Sequence, residues 1–255
     1  MAQEKGKSIF RKISFVLRHP IKSALFAIAR IYNVLIDIRG RKRPASHSLN
    51  ELEEIERRSE KRSDISDHLP VIFAETVAKE PGLIVELGVR GGESTFVFER
   101  AAKVCGSRLV SVDIDDCSNV SKMKGWEFVK ADDIAFAKDF PQWCRKWGIK
   151  PGIDVLFIDT SHEYEHTKNE IKSWFPFLSS AGKVIFHDTN LREVYFRKDG
   201  SMGIGWDGKR AVMRAIEEYM GSHYNENMDF VDVKNGWIVR HSANCSGLTV
   251  MEKTG

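Results

Sequence analysis

With 255 residues, 42% of them hydrophobic, the chain is long enough to bury one substantial core and, once an irregular N-terminus is set aside, too short for two ordinary domains. Residues 1–44 carry eleven Lys/Arg against Glu4 and Asp37, a net of +9, which leaves −6 on the rest of a chain whose total is +3. The four cysteines, Cys105, Cys117, Cys144 and Cys245, form no C-x-x-C pair and have no histidine at zinc-finger spacing, so neither a disulfide framework nor a structural metal is indicated and a reducing cytoplasm is expected.

Residues 8–39 mix apolar side chains (Ile9, Phe10, Ile13, Val16, Leu17, Leu25, Phe26) with Lys12, Arg18, Lys22 and Arg30, and Pro20 breaks any helix there. Two readings stand: a helix pair lying on an anionic membrane surface, peripheral at its inner face, or a segment packed on the domain or on a second copy in a homo-oligomer. Arg30 and Asp37 interrupt the apolar run 23–38, so neither a transmembrane span nor a signal peptide is read there. Arg39 to Pro44 is a basic linker, followed by charged helices around Leu49 to Lys61 and Asp67 to Lys79. The expected division is a basic helical extension over 1–66 and a catalytic domain over 67–255.

Beyond Pro81, short β-branched runs alternate with helix-length amphipathic segments, the pattern of a parallel sheet with crossover helices. Strands are expected at Leu83 to Leu87, Arg108 to Asp113, Glu127 to Lys130, Ile153 to Asp159 and Lys183 to His187, with a last helix from Lys209 to Met220. Asn235-Gly236, between the apolar runs of Phe230 to Arg240, is a strong hairpin signal. The fold class is therefore α/β: a Rossmann-like, doubly wound, mostly parallel sheet ending in an antiparallel hairpin, behind an N-terminal helical extension.

Ligands of such sheets bind at the carboxyl ends of the strands, and here those ends are rich in acid and glycine. The first runs Val85-Glu86-Leu87-Gly88-Val89-Arg90-Gly91-Gly92-Glu93-Ser94, which allows close backbone approach to a ligand but lacks G-x-G-x-x-G spacing. The second ends at Asp113, placed to accept the hydroxyls of a ribose. The third is followed by Ala131-Asp132-Asp133, where Asp132 either accepts from an adenine amino group or caps the next helix.

E-L-G-x-x-x-G, V-D-I-D and K-A-D-D, in this order, resemble the cofactor motifs of class I methyltransferases that use S-adenosylmethionine (SAM). The resemblance implies Glu86, Gly88 and Ser94 near the methionine part of SAM, Asp113 at the ribose, and Ile114 and Asp132 around the adenine. Phe157-Ile158-Asp159-Thr160-Ser161-His162-Glu163-Tyr164 and Val184-Ile185-Phe186-His187-Asp188-Thr189 are similar to the I-D-G-x-H-x-Y and I-x-H-D-T motifs of small-molecule and sugar O-methyltransferases, with Thr160 where glycine is usual.

Asp159 and Asp188, at the ends of adjacent strands and with His187 beside them, suit a hard divalent cation such as Mg2+, and His162 is placed to take a hydroxyl proton. Each also has an ordinary structural reading as a helix cap or buried core histidine. Residues 190–208, with Tyr195, Phe196, Met202 and Trp206, form a long connection suited to cover an acceptor. The expected function is methyl transfer to a hydroxyl of a sugar or glycosylated small molecule. Two alternatives stay open: a hydroxylase-like relative, and a peripheral membrane or nucleic-acid-binding protein with a vestigial SAM site. The catalytic half shows no basic aromatic platform for nucleic acid.

Overall fold

The computed structural model describes residues 50–191, 194–196, 202–204 and 210–254, with isolated positions at 20, 24 and 28. The expected membrane-surface helices and basic linker within 1–44 lie outside the described residues. The chain divides into two compact units, one of residues 1–47 with 194–203 and one of residues 48–193 with 204–255. The second unit begins well before the expected boundary at residue 67: helix α1 (Asn50–Ser59) belongs to it, with Ile55 wholly buried. Acidic residues in the first turn of α1 and arginines in its last suit the helix dipole, and its apolar stripe docks on the core.

The second unit then runs α2 (Leu69–Val77), β1 (Leu83–Leu87), α3 (Glu93–Cys105), β2 (Arg108–Asp113), β3 (Trp126–Lys130), α4 (Asp133–Trp147), β4 (Ile153–Ile158), α5 (Tyr164–Trp174) and β5 (Leu178–His187). A separate two-stranded sheet, β6 (Val194–Phe196) and β7 (Met202–Ile204), lies within the expected covering segment; the rest of 192–209 lies outside the described residues. Helix α6 (Ala211–Met220) precedes β8 (Phe230–Lys234), β9 (Trp237–Ser242) and β10 (Leu248–Lys253).

The eight-stranded sheet has the order β3-β2-β1-β4-β5-β10-β9-β8. The first five strands pair in parallel and the last three antiparallel. The Asn235-Gly236 hairpin joins β8 to β9 as expected, Asn235 and Gly236 both taking positive φ. The expected hairpin does not itself meet the parallel part. Strand β10, not anticipated from sequence, inserts between, pairing with β5 on one side and with β9 on the other.

Alternation along the strands feeds two cores, as a sheet covered on both faces requires. Val85, Leu87, Leu156 and Ile158 face one layer with Phe136, Phe140 and Trp174 from α4 and α5. Ile84, Val155 and Phe157 face the other, with Ile55, Leu69, Ile72 and Phe98 from α1, α2 and α3.

Glu86 is wholly buried. Its Oε1 accepts from the Ser94 hydroxyl at 2.6 Å, its Oε2 from Ser111 at 2.5 Å, and Thr95 reaches both oxygens at 3.1 and 2.9 Å. The Trp126 indole in turn donates to Ser111 at 2.8 Å, so one carboxyl ties β1 to the first turn of α3, to β2 and to β3. Burial pushes the Glu86 carboxyl up to about 7, against the pull of the hydroxyls of Ser111, Ser94 and Thr95.

A carboxyl raised in this way keeps its proton in the folded state between pH 4.5 and 7, where the unfolded chain has released it. Its contribution therefore falls as pH rises through that window, by up to about 3 kcal/mol, and is level above it. Urea midpoints of wild type and Glu86→Gln, measured across the window, should differ most at pH 7 and converge toward pH 4.5. A constant difference would mean that Glu86 is ionised throughout.

Candidate functional site

The turn from β1 into α3 is shaped by close approach. Gly88 has φ +87°, and a Cβ there would lie 2.0 Å from the Asp159 carbonyl oxygen; at Gly92, φ +77°, a Cβ would meet Val120 at 2.2 Å. Both positions need glycine on grounds of space as well as backbone conformation. Gly91 meets nothing within 4 Å, and Arg90 takes the left-handed conformation with φ +48°.

Asp113, at the end of β2, fastens this turn. Its Oδ2 accepts from the Val89 and Arg90 amides at 2.7 and 3.0 Å and its Oδ1 from the Asp115 amide at 2.9 Å. Three of a carboxylate's roughly four lone-pair sites are thereby in use. Asp113, expected at the ribose, thus holds the backbone of the turn and keeps about one site to spare. Ile114 beside it is 69% exposed, an apolar side chain in the open at the carboxyl edge of the sheet. Asp132 caps α4, its Oδ1 accepting from the Ala135 amide at 2.7 Å, so of its two readings the structural one is realised.

Glu86 and Ser94, expected near the methionine part, lie at the same turn. Both are buried beneath the turn, bonded to each other, and support it from behind. A polar side chain after a strand reads identically whether it faces the ligand or the sheet.

The second focus is the rim of β4 and β5. Asp159, His187 and Asp188 bring one ligand atom each within 4.8 Å of one another. His162 joins them: its Nε2 lies 2.8 Å from Asp159 Oδ1 and 3.1 Å from Asp188 Oδ2, while His187 Nδ1 lies 3.5 Å from Asp159 Oδ1 and 3.2 Å from Asp188 Oδ1. His162 and Asp188 have φ of +58° and +56°, conformations that non-glycine residues seldom hold and that gather at functional sites.

Burial by itself would lower both imidazoles, but Asp188 and Asp159 outweigh it, raising His162 and carrying His187 well above the usual histidine range. Burial would likewise raise Asp159, and His187 and His162 overcome it, holding that carboxyl far below the usual range. His187 Nε2 and Asp188 Oδ1 are nevertheless buried with no hydrogen-bond partner among the described residues. Two carboxylates and an imidazole with such unclaimed atoms fit a divalent cation.

Thr160, the departure from the usual glycine, donates to Glu170 Oε1 at 2.6 Å and so anchors the loop after β4 onto α5. Sequence reasoning missed His68, whose ring packs edge-on against His187 with centroids 5.6 Å apart. Its Nε2 donates to the Asn244 carbonyl at 3.0 Å, and burial, aided by His187, lowers it to about 4, so it stands neutral beside the cluster. Nothing in the sequence links a histidine before α2 to one at the end of β5.

Residues 85–189 match a family model described as a methyltransferase domain. An uncharacterized protein, y4gI, of Sinorhizobium fredii is 30% identical over 131 residues; that stretch is 47% of this chain and 14% of the relative. Among solved structures, the SAH-bound methyltransferase PaMTH1 of Podospora anserina superposes with a TM-score of 0.51 at 12% identity, covering 90% of this chain and 96% of that one. MycE, a methyltransferase of the mycinamycin biosynthetic pathway, aligns with a TM-score of 0.49 at 16% identity over 84% of this chain, which spans 56% of MycE. The family match contains the glycine turn, Asp113, Asp132 and both rim aspartates, and the fold match carries the sheet they stand on. Residues 85–189 accordingly resemble a methyltransferase domain, on a fold that the chain shares with the SAH-bound methyltransferase PaMTH1.

Proposed function

We propose that this protein transfers the methyl group of SAM to a hydroxyl of a sugar or glycosylated small molecule, with a divalent cation such as Mg2+ held by Asp159, His187 and Asp188. The observation that carries the reading is the rim cluster itself, two acids and two imidazoles packed against the end of β1 that forms the glycine turn. In this reading the turn from Gly88 to Gly92 would hold the methionine part of SAM, Asp113 and the turn it fastens would receive the ribose, and exposed Ile114 and Asp132 would border the adenine.

When bound, the cation would lower the pKa of an acceptor hydroxyl and orient its oxygen. SAM, when bound, would supply the methyl group to the hydroxyl oxygen and keep the electron pair of the broken carbon–sulfur bond, and His162 would accept the hydroxyl proton. The products are a methyl ether and S-adenosylhomocysteine. His162 can accept that proton only when neutral, and Asp188 and Asp159 hold it protonated above the ordinary value of 6.5. The activity of wild type should therefore climb on the alkaline side of pH 6.5. The net charge of +9 over residues 1–44 supports an anionic surface as the partner of that segment.

Calorimetry should show SAM binding weakened by about 10- to 150-fold in Asp113→Ala, through a lost charged hydrogen bond and a loosened turn. Unchanged affinity in a folded variant would remove Asp113 from the cofactor site. Asp159→Asn and Asp188→Asn should leave SAM affinity intact, cut turnover steeply and recover in part with excess Mg2+. His162→Ala should lower the rate by about 10² to 10⁴ and erase the alkaline limb. Full turnover after exhaustive chelation, with unimpaired aspartate variants, would end the metal reading. For the basic segment, full-length protein should co-sediment with vesicles containing anionic lipid and release in high salt, whereas a variant lacking residues 1–44 should stay in the supernatant. Equal binding by the two forms would assign the segment to protein packing.

A further inference from the structure

We propose that Asp133, His166 and Glu170 form a second cation site, for a borderline divalent ion such as Zn2+, which clamps the start of α4 to α5. Asp133 is the first residue of α4, and His166 and Glu170 stand one turn apart on α5 at i and i+4, a spacing that puts both side chains on one face. None of the three belongs to the rim cluster of Asp159, His187 and Asp188.

The geometry suits a small ion. One ligand atom from each residue lies within 4.8 Å of the others; His166 Nε2 is 3.1 Å from Asp133 Oδ1 and 3.6 Å from Glu170 Oε1. Those two separations bracket the edge of about 3.3 Å expected of a tetrahedron with bonds of about 2.0 to 2.1 Å. A second observation points to a ligand. Glu170 is wholly buried and Asp133 is 7% exposed, yet Glu170 Oε2 and Asp133 Oδ2 have no hydrogen-bond partner among the described residues.

Two carboxylates buried beside Phe136, Ile171 and Trp174 carry a charge that one imidazole does not neutralise, and leaving it uncompensated is costly. Without a cation the cluster retains protons: burial lifts Glu170 to about 8, and the hydrogen bond that His166 donates to Asp133 lifts His166 to about 9, with Glu170 and Asp132 adding to it. A doubly charged ion would replace those protons and compensate the charge of the two buried carboxylates.

The donor set selects the ion. One imidazole nitrogen and two carboxylates favour Zn2+ over Mg2+, which prefers oxygen and keeps much of its water. Thr160, donating to Glu170 Oε1, orients that carboxylate as outer partners of metal ligands do. His166, 22% exposed, leaves one side open for water as a fourth ligand. Bound there, the ion would join the helix capped by Asp132 to the loop between Asp159 and His162, stiffening both strand ends that frame the cofactor.

The test uses full-length protein stripped of metal, titrated with Zn2+ and, for its visible spectrum, with Co2+. Asp159→Asn/Asp188→Asn disables the rim cluster and should still bind one equivalent of Zn2+, show the absorption of imidazole-bound Co2+, and gain thermal stability with Zn2+ concentration. Adding His166→Ala to that variant should abolish all three, while His166→Ala alone should keep SAM affinity. His166 is partly exposed, so this substitution keeps the test alive should Glu170→Gln fail to fold. If the rim-disabled protein folds by circular dichroism yet takes up no Zn2+, or if His166→Ala leaves uptake unchanged, the three residues are a plain buried ion-pair network. Because the rim cluster is disabled separately, loss of metal there cannot be mistaken for loss of metal at this site.

Discussion

The carboxyl end of β1 lies directly against the carboxyl end of β4, and that contact sets the working geometry of the sheet edge. The Asp159 amide donates to the Leu87 carbonyl at 2.9 Å, and the residue that follows β1, Gly88, passes so near the Asp159 carbonyl that any side chain would collide with it. The turn that would face the cofactor and the aspartate that would hold a cation are therefore neighbours through backbone atoms. Short, rigid separation of this kind is what transfer between two bound reactants requires, since positioning supplies a large share of the rate.

Around that contact the chain keeps its charges under tension. Asp113 fastens the turn from the end of β2, and Glu86, carried toward neutrality by burial, braces it from beneath. At the rim, Asp188 and Asp159 raise the two imidazoles above the ordinary histidine value, and the imidazoles hold Asp159 below the usual carboxylate range. Left-handed backbone at His162 and Asp188 is tolerated because β4, β5 and the hydrogen-bonded loops fix both residues in place. A cluster so far from its resting protonation is suited to exchange protons for a cation.

The antiparallel end of the sheet contributes to the same site from a distance. Strand β10 pairs with β5 up to His187, and the tight turn at Gly247 brings its carbonyl to the Thr189 amide just past Asp188. Asn244, before that turn, receives the hydrogen bond of His68, whose neutral ring packs on His187. Segments far apart in sequence thus restrain one imidazole. No helix among the described residues is long and apolar enough to cross a membrane.

Local pattern by itself determined the parallel strands, the glycine turn, the hairpin at Asn235-Gly236 and the acids at the strand ends, because periodicity and turn chemistry act over a few residues. It could not tell which face of an element a polar side chain takes. Glu86 and Ser94 turned inward and Asp132 turned to its own helix, since only the packed layers decide between ligand, cap and buried bond. Nor could it place β10 between β5 and the hairpin or carry the domain boundary back to residue 48, both of which depend on which apolar faces find one another. The clusters that join Asp159 to Asp188 and Asp133 to Glu170 belong to tertiary structure for the same reason: strand order and helix packing bring their members together across 29 and 37 residues of chain.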